Sequence, residues 1–264
     1  ITFNPWHEGH WLKSRFFDKM SSDASVYSTN YLCNEFLDDT DRMVFERMKR
    51  ENPRKYAVAG LGEWGVTEGL VFENWEVKPF DIESIKKLPN THCIFGLDYG
   101  YTNDPCAFIC ACVDNSKKHI FVFDEHYQKK MLNSDIAQMI TRKGYSKERI
   151  YADCAEPKSI ADIKKGGFNV LACDKDAPVK SDKLKFQLLW MQGWKIHVTK
   201  ESLNLIEELR NYTWKKNKDG ETTNEPIDNF NHLLDAMRYA LWTRFGKNGG
   251  QGQYVVSVIK RRRS

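Results

Sequence analysis

Several familiar protein classes are excluded by what this 264-residue sequence lacks. No apolar run approaches the roughly 18 residues that a membrane-spanning helix needs. Glycine-rich phosphate loops are missing: there is no GxxxxGK[ST], and no GxGxxG follows the first strand of the central region. A P-loop nucleotide site and a doubly wound dinucleotide fold are therefore not expected. The seven cysteines are an odd number and form no CxxC pair, so zinc-site spacing is absent and a reducing compartment is expected. The beginning, "ITFNPWHEGH", has neither a basic segment nor an apolar one, so a signal peptide is not expected. It also lacks an initiator methionine, as a piece cut from a longer protein would. There is no internal repeat.

What is present suits a globular α/β protein. Apolar residues make up 41% of the chain, enough for a sizeable core in one large domain or in a domain with an attached piece. The net charge of +4 is unevenly spread. Residues 245–264 hold Lys247, Lys260, Arg261, Arg262 and Arg263 and no acid, so the remaining 244 residues carry a net −1. A uniformly basic nucleic-acid binder is excluded. Contact with phosphate must come from local patches or from the basic tail, which can equally be a solubilising end.

Periodicity divides the chain near Pro89. "DDTDRMVFERMKRENPRKY" has helical spacing, with Met43, Val44 and Met48 marking a face and Pro53 ending it. Pro79 and Pro89 bracket a polar segment expected to be a linker. Beyond it, "CIFGLDYG", "CAFICACV" and "HIFVFDEHY" read as three strands with tight connections. Helical and strand patterns then alternate: a helix over Met131–Lys143, strand "RIYADC", helix "PKSIADIKKGG", strand "NVLAC", helix "SDKLKFQLLWMQG", strand "KIHVT" and helix "ESLNLIEELRNY". "TWKKNKDGETTNEPIDN" reads as a hairpin around Asp219-Gly220, and "FNHLLDAMRYALWTRF" as a closing helix. The pattern predicts a mixed sheet flanked by helices on both faces.

Three acids stand where such a fold could gather them. Asp98 and Asp153 each end a strand pattern; if the strands are central and parallel, both carboxylates leave at one sheet edge, where open α/β sheets place ligands. On the closing helix, Phe230, Leu233, Leu234, Met237 and Leu241 form an apolar stripe. Beside it run His232, Asp235, Tyr239 and Trp242, so a histidine and a carboxylate share one edge. The alternative gives each residue a separate job: Asp98 and Asp153 capping turns, Asp235 paired with Arg238, His232 on the surface. Two carboxylates 4 Å apart repel by roughly 4 kcal/mol at an effective dielectric near 20, so three together need protons or cations. Oxygen-only ligands select Mg²⁺ or Mn²⁺, and two such ions about 3.5–4 Å apart can activate water and stabilise the leaving oxygen in phosphodiester hydrolysis. On this reading Gly100 allows close approach beside Asp98.

The segments "ITFNPWHEGHWLKSRFF", "YSTNYLCNEFL", "GEWGVTEGLVFENW", "FGLDYGYTNDPCAF", "YADCAEPKSI" and "NFNHLLDAMRYA" resemble, in this order, the large terminase subunit of tailed bacteriophages, in its PBSX-like and SPP1-like branch. The resemblance implies a ribonuclease H-like nuclease over residues 89–246. It further implies the end of an ATPase part and its connection over 1–88, and leaves a basic tail over 247–264. It matches the family's metal-binding aspartates to Asp98, Asp153 and Asp235, with His232 positioning water or the scissile phosphate. Asp104 and Asp124 are further acids that could stand beside the site or hold ordinary turn and hairpin roles. The hairpin lysines Lys215, Lys216 and Lys218 fall where this branch steers DNA. ATP-binding motifs are missing, so ATPase activity is not expected of this sequence.

The expected activity is a Mg²⁺- or Mn²⁺-dependent endonuclease, using two ions, that cuts double-stranded DNA with little sequence preference during viral genome packaging. The implied partners are duplex DNA, the small terminase subunit and the portal protein. The implied location is the host cytoplasm, transiently at the procapsid portal and not in the virion. The alternatives are a junction resolvase or ribonuclease H on the same fold, and a non-catalytic assembly module of the packaging motor.

Overall fold

The structure is a computed structural model that describes residues 2–5, 10–19, 23–51, 53–64, 69–179, 182–217 and 222–246. Lys218, the Asp219-Gly220 turn and the basic tail lie outside the described residues. Contacts divide the chain into two units, Ile1–Glu73 with Leu203–Asn231 and Asn74–Ser202 with His232–Ser264.

In chain order the first unit opens with helices α1 (Asp39–Glu51) and α2 (Pro53–Ala59). The second contains β1 (Trp75–Val77), α3 (Ile82–Lys86), β2 (Thr91–Asp98), β3 (Cys106–Asp114), β4 (His119–Gln128), α4 (Asn133–Arg142), β5 (Ile150–Ala152), α5 (Pro157–Lys165), β6 (Val170–Ala172), α6 (Lys183–Gln192) and β7 (Lys195–Val198). The chain then returns to the first unit for α7 (Leu203–Asn211) and the hairpin β8 (Trp214–Lys216) and β9 (Thr222–Pro226). It ends in the second unit with α8 (His232–Leu241) and a π-helical turn at Trp242–Gly246.

Seven strands form one mixed sheet in the order β1-β7-β4-β3-β2-β5-β6. The hairpin-connected strands β2, β3 and β4 pair antiparallel, while β7 joins β4 and β5 joins β2 in parallel. All nine residues of β3 are buried, as a strand covered on both faces requires. Alternation along β2 decides what each face meets. Phe95 and Leu97 pack into a cluster with Phe108, Cys110 and the inner residues of α4 and α5, namely Ile136, Met139, Ile140, Ile160 and Ile163. Gly96 faces the other way, where a Cβ would stand only 1.9 Å from the Ala236 carbonyl oxygen of α8. Any side chain there would drive α8 off the sheet. Leu233, Leu234, Met237 and Leu241 are fully buried, each worth about 1.5–3 kcal/mol relative to exposure.

The first unit draws in the later segment through its own contacts. Arg210 Nη1 meets Asp18 Oδ2 at 2.6 Å, Val71 N–H donates to the Tyr212 carbonyl at 2.8 Å, and Leu70 bridges Thr213.

Several expectations change. The first helix, α1, ends at Glu51, before Pro53, and a further helix, α2, begins at Pro53, where proline suits a first helical turn because its missing N–H is not needed. Met43 and Val44 are 64% and 44% exposed, so they do not mark a buried face. Residues 74–88, expected to belong with the linker, contribute β1 and α3 to the sheet unit. Three residues of β1 pairing with β7 are too few for periodicity to register. Phe230 lies before α8 with φ 60° and is 38% exposed, so it is no part of the apolar stripe.

Candidate active site

The parallel pairing of β2 and β5 aligns Leu97 with Ala152, so Asp98 and Asp153 leave neighbouring strands at the same level. The Asp153 N–H donates to the Leu97 carbonyl at 3.0 Å, which continues the ladder to that point. One face of α8 lies over these ends. Its His232 Nδ1 is 3.2 Å from Asp98 Oδ2, and its Tyr239 hydroxyl donates to Asp153 Oδ2 at 3.3 Å. Asp235 lies between these residues in the helix and acts electrostatically on both Asp98 and Tyr239. The structure therefore brings Asp98, Asp153 and His232 to one place, with Asp235 on the same helix acting through space. Among the described residues the ligand atoms that gather within 4.8 Å of one another are those of Asp153, Cys154 and Cys173, so the three acids do not form a closed ligand set.

Their surroundings differ. Asp98 is only 8% exposed, and burial pushes its carboxyl up to about 6. His232 opposes this rise, while the negative charges of Asp235 and Asp153 add to it. Burial also works against ionisation of Asp153, but the Ala155 N–H and the Lys175 ammonium outweigh it and hold that carboxyl below its usual range. The Ala155 N–H donates at 2.9 Å and Lys175 Nζ stands 2.5 Å from Oδ1. Asp235 has its own cation, with Arg238 Nε and Nη2 at 3.1 and 3.0 Å from Oδ1. The expected helix ion pair is thus real and coexists with convergence. Arg238 is in turn held by the Gln187 side-chain oxygen at 2.6 Å.

The repulsion foreseen for three gathered carboxylates is met from within the protein. Two acids have basic partners, and the most buried acid holds its proton more tightly than a free aspartate does. The donor chemistry fits a hard cation: Asp98, Asp153 and Asp235 all offer carboxylate oxygens, and burial together with the neighbouring negative charges raises the cost of charging Asp98, which a bound cation would lower.

Asp104 reaches the edge of the site, its Oδ1 3.7 Å from His232 Nε2, and is well exposed. Asp124 does not join it; Lys143 Nζ at 2.7 Å and the Tyr145 hydroxyl at 2.9 Å satisfy its carboxylate elsewhere. Gly100 answers to its own loop, where a Cβ would meet the Asp104 and Pro105 carbonyls at 2.5 and 2.4 Å. Gly96 is the glycine that lets α8 carry its side chains over the strand ends.

Sequence reasoning missed Lys175, whose only signal is its place three residues beyond a strand parallel to β5. It also missed that Cys154 and Cys173 bring their sulfurs to Asp153, with all three ligand atoms within 4.8 Å of one another. The first unit carries Lys215 on β8, 3.6 Å from Asp228 and 3.9 Å from Glu225, and Lys216 at the end of that strand.

A mixed sheet with two parallel strand ends presenting carboxylates beneath a helix bearing a third defines a ribonuclease H-like domain. A family model described as "Terminase RNAseH like domain" matches residues 98–242, more than half of the chain, and one described as "Phage terminase large subunit" matches residues 1–63. The chain belongs to the large terminase subunit family, and residues 98–242 match that family's ribonuclease H-like domain. It is 30% identical over 251 residues to the terminase large subunit of Bacillus phage SPP1, covering 93% of this chain and 58% of that protein. It is also 30% identical over 212 residues to the PBSX phage terminase large subunit of Bacillus subtilis, covering 79% and 48%. The chain thus spans about half the length of these relatives.

Among solved structures, the nuclease domain of the SPP1 large terminase with bound Mn aligns at TM-score 0.57 and 28% identity, over 65% of this chain and 97% of that one. The P22 large terminase nuclease domain shares the fold, at TM-score 0.51 and 15% identity over 67% and 92%. The family match and the likeness to the SPP1 domain support metal-dependent nuclease activity in general; the P22 likeness shows the fold. No helix among the described residues is long and apolar enough to cross a membrane.

Proposed function

We propose that this chain is an endonuclease that cuts double-stranded DNA with little sequence preference during viral genome packaging. The observation that carries the reading is the meeting of Asp98 and Asp153 at adjacent parallel strand ends under the α8 edge with His232 and Asp235. Asp98, Asp153 and Asp235 would hold two Mg²⁺ or Mn²⁺ ions. Bound there, the ions would supply a more acidic water and charge neutralisation at the scissile phosphate. His232, hydrogen-bonded to Asp98, would orient water or steady a phosphate oxygen. Tyr239 and Lys175 would hold Asp153 in place, and burial of Asp98 would keep bulk water from screening the cluster. Lys215, Lys216 and Lys218 would contact phosphates without reading bases. The packaging role, with the small terminase subunit and portal as partners and the procapsid as the place of action, extends this reading to the whole protein.

The deciding experiment offers linear duplex, a four-way junction and an RNA–DNA hybrid side by side with Mg²⁺ or Mn²⁺. Duplex cleavage is expected, and it should fall to near background in Asp98→Asn, Asp153→Asn and Asp235→Asn while each variant stays folded by circular dichroism. Preference for junction or hybrid would replace the substrate. Full activity in Asp153→Asn would remove the shared site, and inactivity on every substrate would leave the assembly module.

Neutralising Lys215, Lys216 and Lys218 together is expected to weaken binding to unrelated duplexes equally. The slope of log affinity against log salt should flatten by up to about 3, near 0.9 per phosphate contact. Equal slopes for the wild type and the triple variant would make these lysines solvated surface charge.

A further inference from the structure

The Asp153 end of the site has a second chemical character. Registration of β5 with β6 aligns Ala152 with Ala172, so Asp153 and Cys173 leave neighbouring strands together. The Cys173 N–H donates to the Ala152 carbonyl at 2.7 Å, which fixes that level. The turn closed by the Ala155 N–H on Asp153 brings Cys154 to the same place. One carboxylate oxygen and two sulfurs result, all within 4.8 Å. Cys173 is buried and Cys154 exposed, so the group has a floor and an opening.

We propose that Asp153, Cys154 and Cys173 form a separate site for a soft or borderline divalent cation, of the Zn²⁺ or Cd²⁺ class, that competes with the hard ions for Asp153. Two thiolates and a carboxylate suit tetrahedral zinc with water in the fourth position, and they do not suit octahedral Mg²⁺. A Zn–S bond of about 2.3 Å sets tetrahedral ligand atoms about 3.8 Å apart. The group therefore needs to contract by no more than about 1 Å. Each thiol releases its proton to solvent as its sulfur binds. The ion takes the place of the Lys175 ammonium, whose side chain is 38% exposed and can swing into water. With Asp153 engaged by the soft ion, the hard-ion cluster loses a ligand and cleavage stops; this inhibitory consequence rests on the nuclease reading, whereas the site itself does not.

The test uses the full chain, freed of metal, with Cd²⁺ alone as probe. In a Cys112→Ser background, which removes the Cys93–Cys112 sulfur pair at 2.6 Å as a second thiol site, titration should produce the ultraviolet sulfur-to-cadmium charge-transfer band, saturating at one ion per chain and displaced by Zn²⁺. In that background Cys154→Ser and Cys173→Ser should each weaken this binding by roughly 100-fold, whereas Cys33→Ser should leave it within about threefold. Cys154 is exposed, so its variant reports even if Cys173→Ser fails to fold. A band that survives in Cys154→Ser overturns the site. A second readout compares duplex cleavage in excess Mn²⁺ with and without Zn²⁺, as a ratio within each protein. Zinc should suppress the wild type at concentrations at least tenfold below those needed for Cys154→Ser. Equal suppression of both proteins overturns the competition even where the band supports the site. A chain that cleaves nothing with Mn²⁺ alone counts against the nuclease reading, and the cadmium band still decides the site.

Discussion

Strands β2 and β5 run side by side and end at the same level in the same residue type, yet their ends are opposite environments. At the β2 end, Asp98 is buried, faces a histidine, and has its carboxyl pushed up to about 6 by burial. At the β5 end, burial also disfavours the charge of Asp153, but a turn N–H and the Lys175 ammonium prevail and keep it ionised. Equivalent positions in a sheet are thus not equivalent in charge. One end waits for a cation and the other has a replaceable one. A site with both can be stable before it is loaded.

The largest effects should come from separating assistance from ligation at the β2 end. His232→Ala is expected to lower turnover by roughly 10- to 1000-fold, the scale of a positioned acid–base group, while the rise in melting temperature with Mn²⁺ largely survives. Asp235→Ala should lose both. Wild-type cleavage by His232→Ala would reduce the residue to a helix-surface histidine. Loss of the Mn²⁺ stabilisation as complete as in Asp235→Ala would make it a ligand.

Next in size is the pH response of the metal-free protein. An unfolded aspartate titrates near 3.9, so between about pH 4 and 6 the folded chain keeps a proton on Asp98 that the unfolded chain releases. Stability should therefore fall as pH rises through this window, by about 3 kcal/mol for a two-unit shift. Asp98→Asn removes the dependence, so urea midpoints of the two proteins should diverge from pH 4 to 7 in favour of the variant. Added Mn²⁺ should reverse the order at pH 7. Parallel curves would mean that the two strand ends do not differ as described.

The smallest effect concerns Lys175. Its ammonium is partly exposed, so Lys175→Met should cost no more than about 1 kcal/mol at pH 7. The sign at this end is the reverse of that at Asp98: a depressed carboxyl contributes stability above its unfolded value and loses it as pH falls. The variant should therefore lose less stability than the wild type on going below pH 4. It should also gain more from Mn²⁺, because no ammonium needs displacing. An unchanged Mn²⁺ response would show that Lys175 is not in the ion's way.

Much of the sheet unit was legible because its elements are local. The strands β2, β3 and β4, and the alternating helices after them, follow from the period of apolar residues, and period is a property of neighbours in sequence. Asp98, Asp153, Asp235 and His232 could be named because strand ends and one helix edge have few ways to meet. The three-residue β1 left no such signal, and the grouping of Leu203–Asn231 with the first unit depends on contacts such as Arg210 with Asp18, far apart in the chain.

The sequence alone determined which residue types and which local elements were available for chemistry. Tertiary structure decided their electrical state. Asp98 and Asp153 are the same side chain, and the deeper burial of one and the Ala155 N–H and Lys175 ammonium at the other set them apart. The same is true of Cys154 and Cys173, nineteen positions apart in sequence and joined at Asp153 by strand register. Solvation and through-space charge depend on what surrounds an atom in three dimensions, and spacing along the chain carries no record of it.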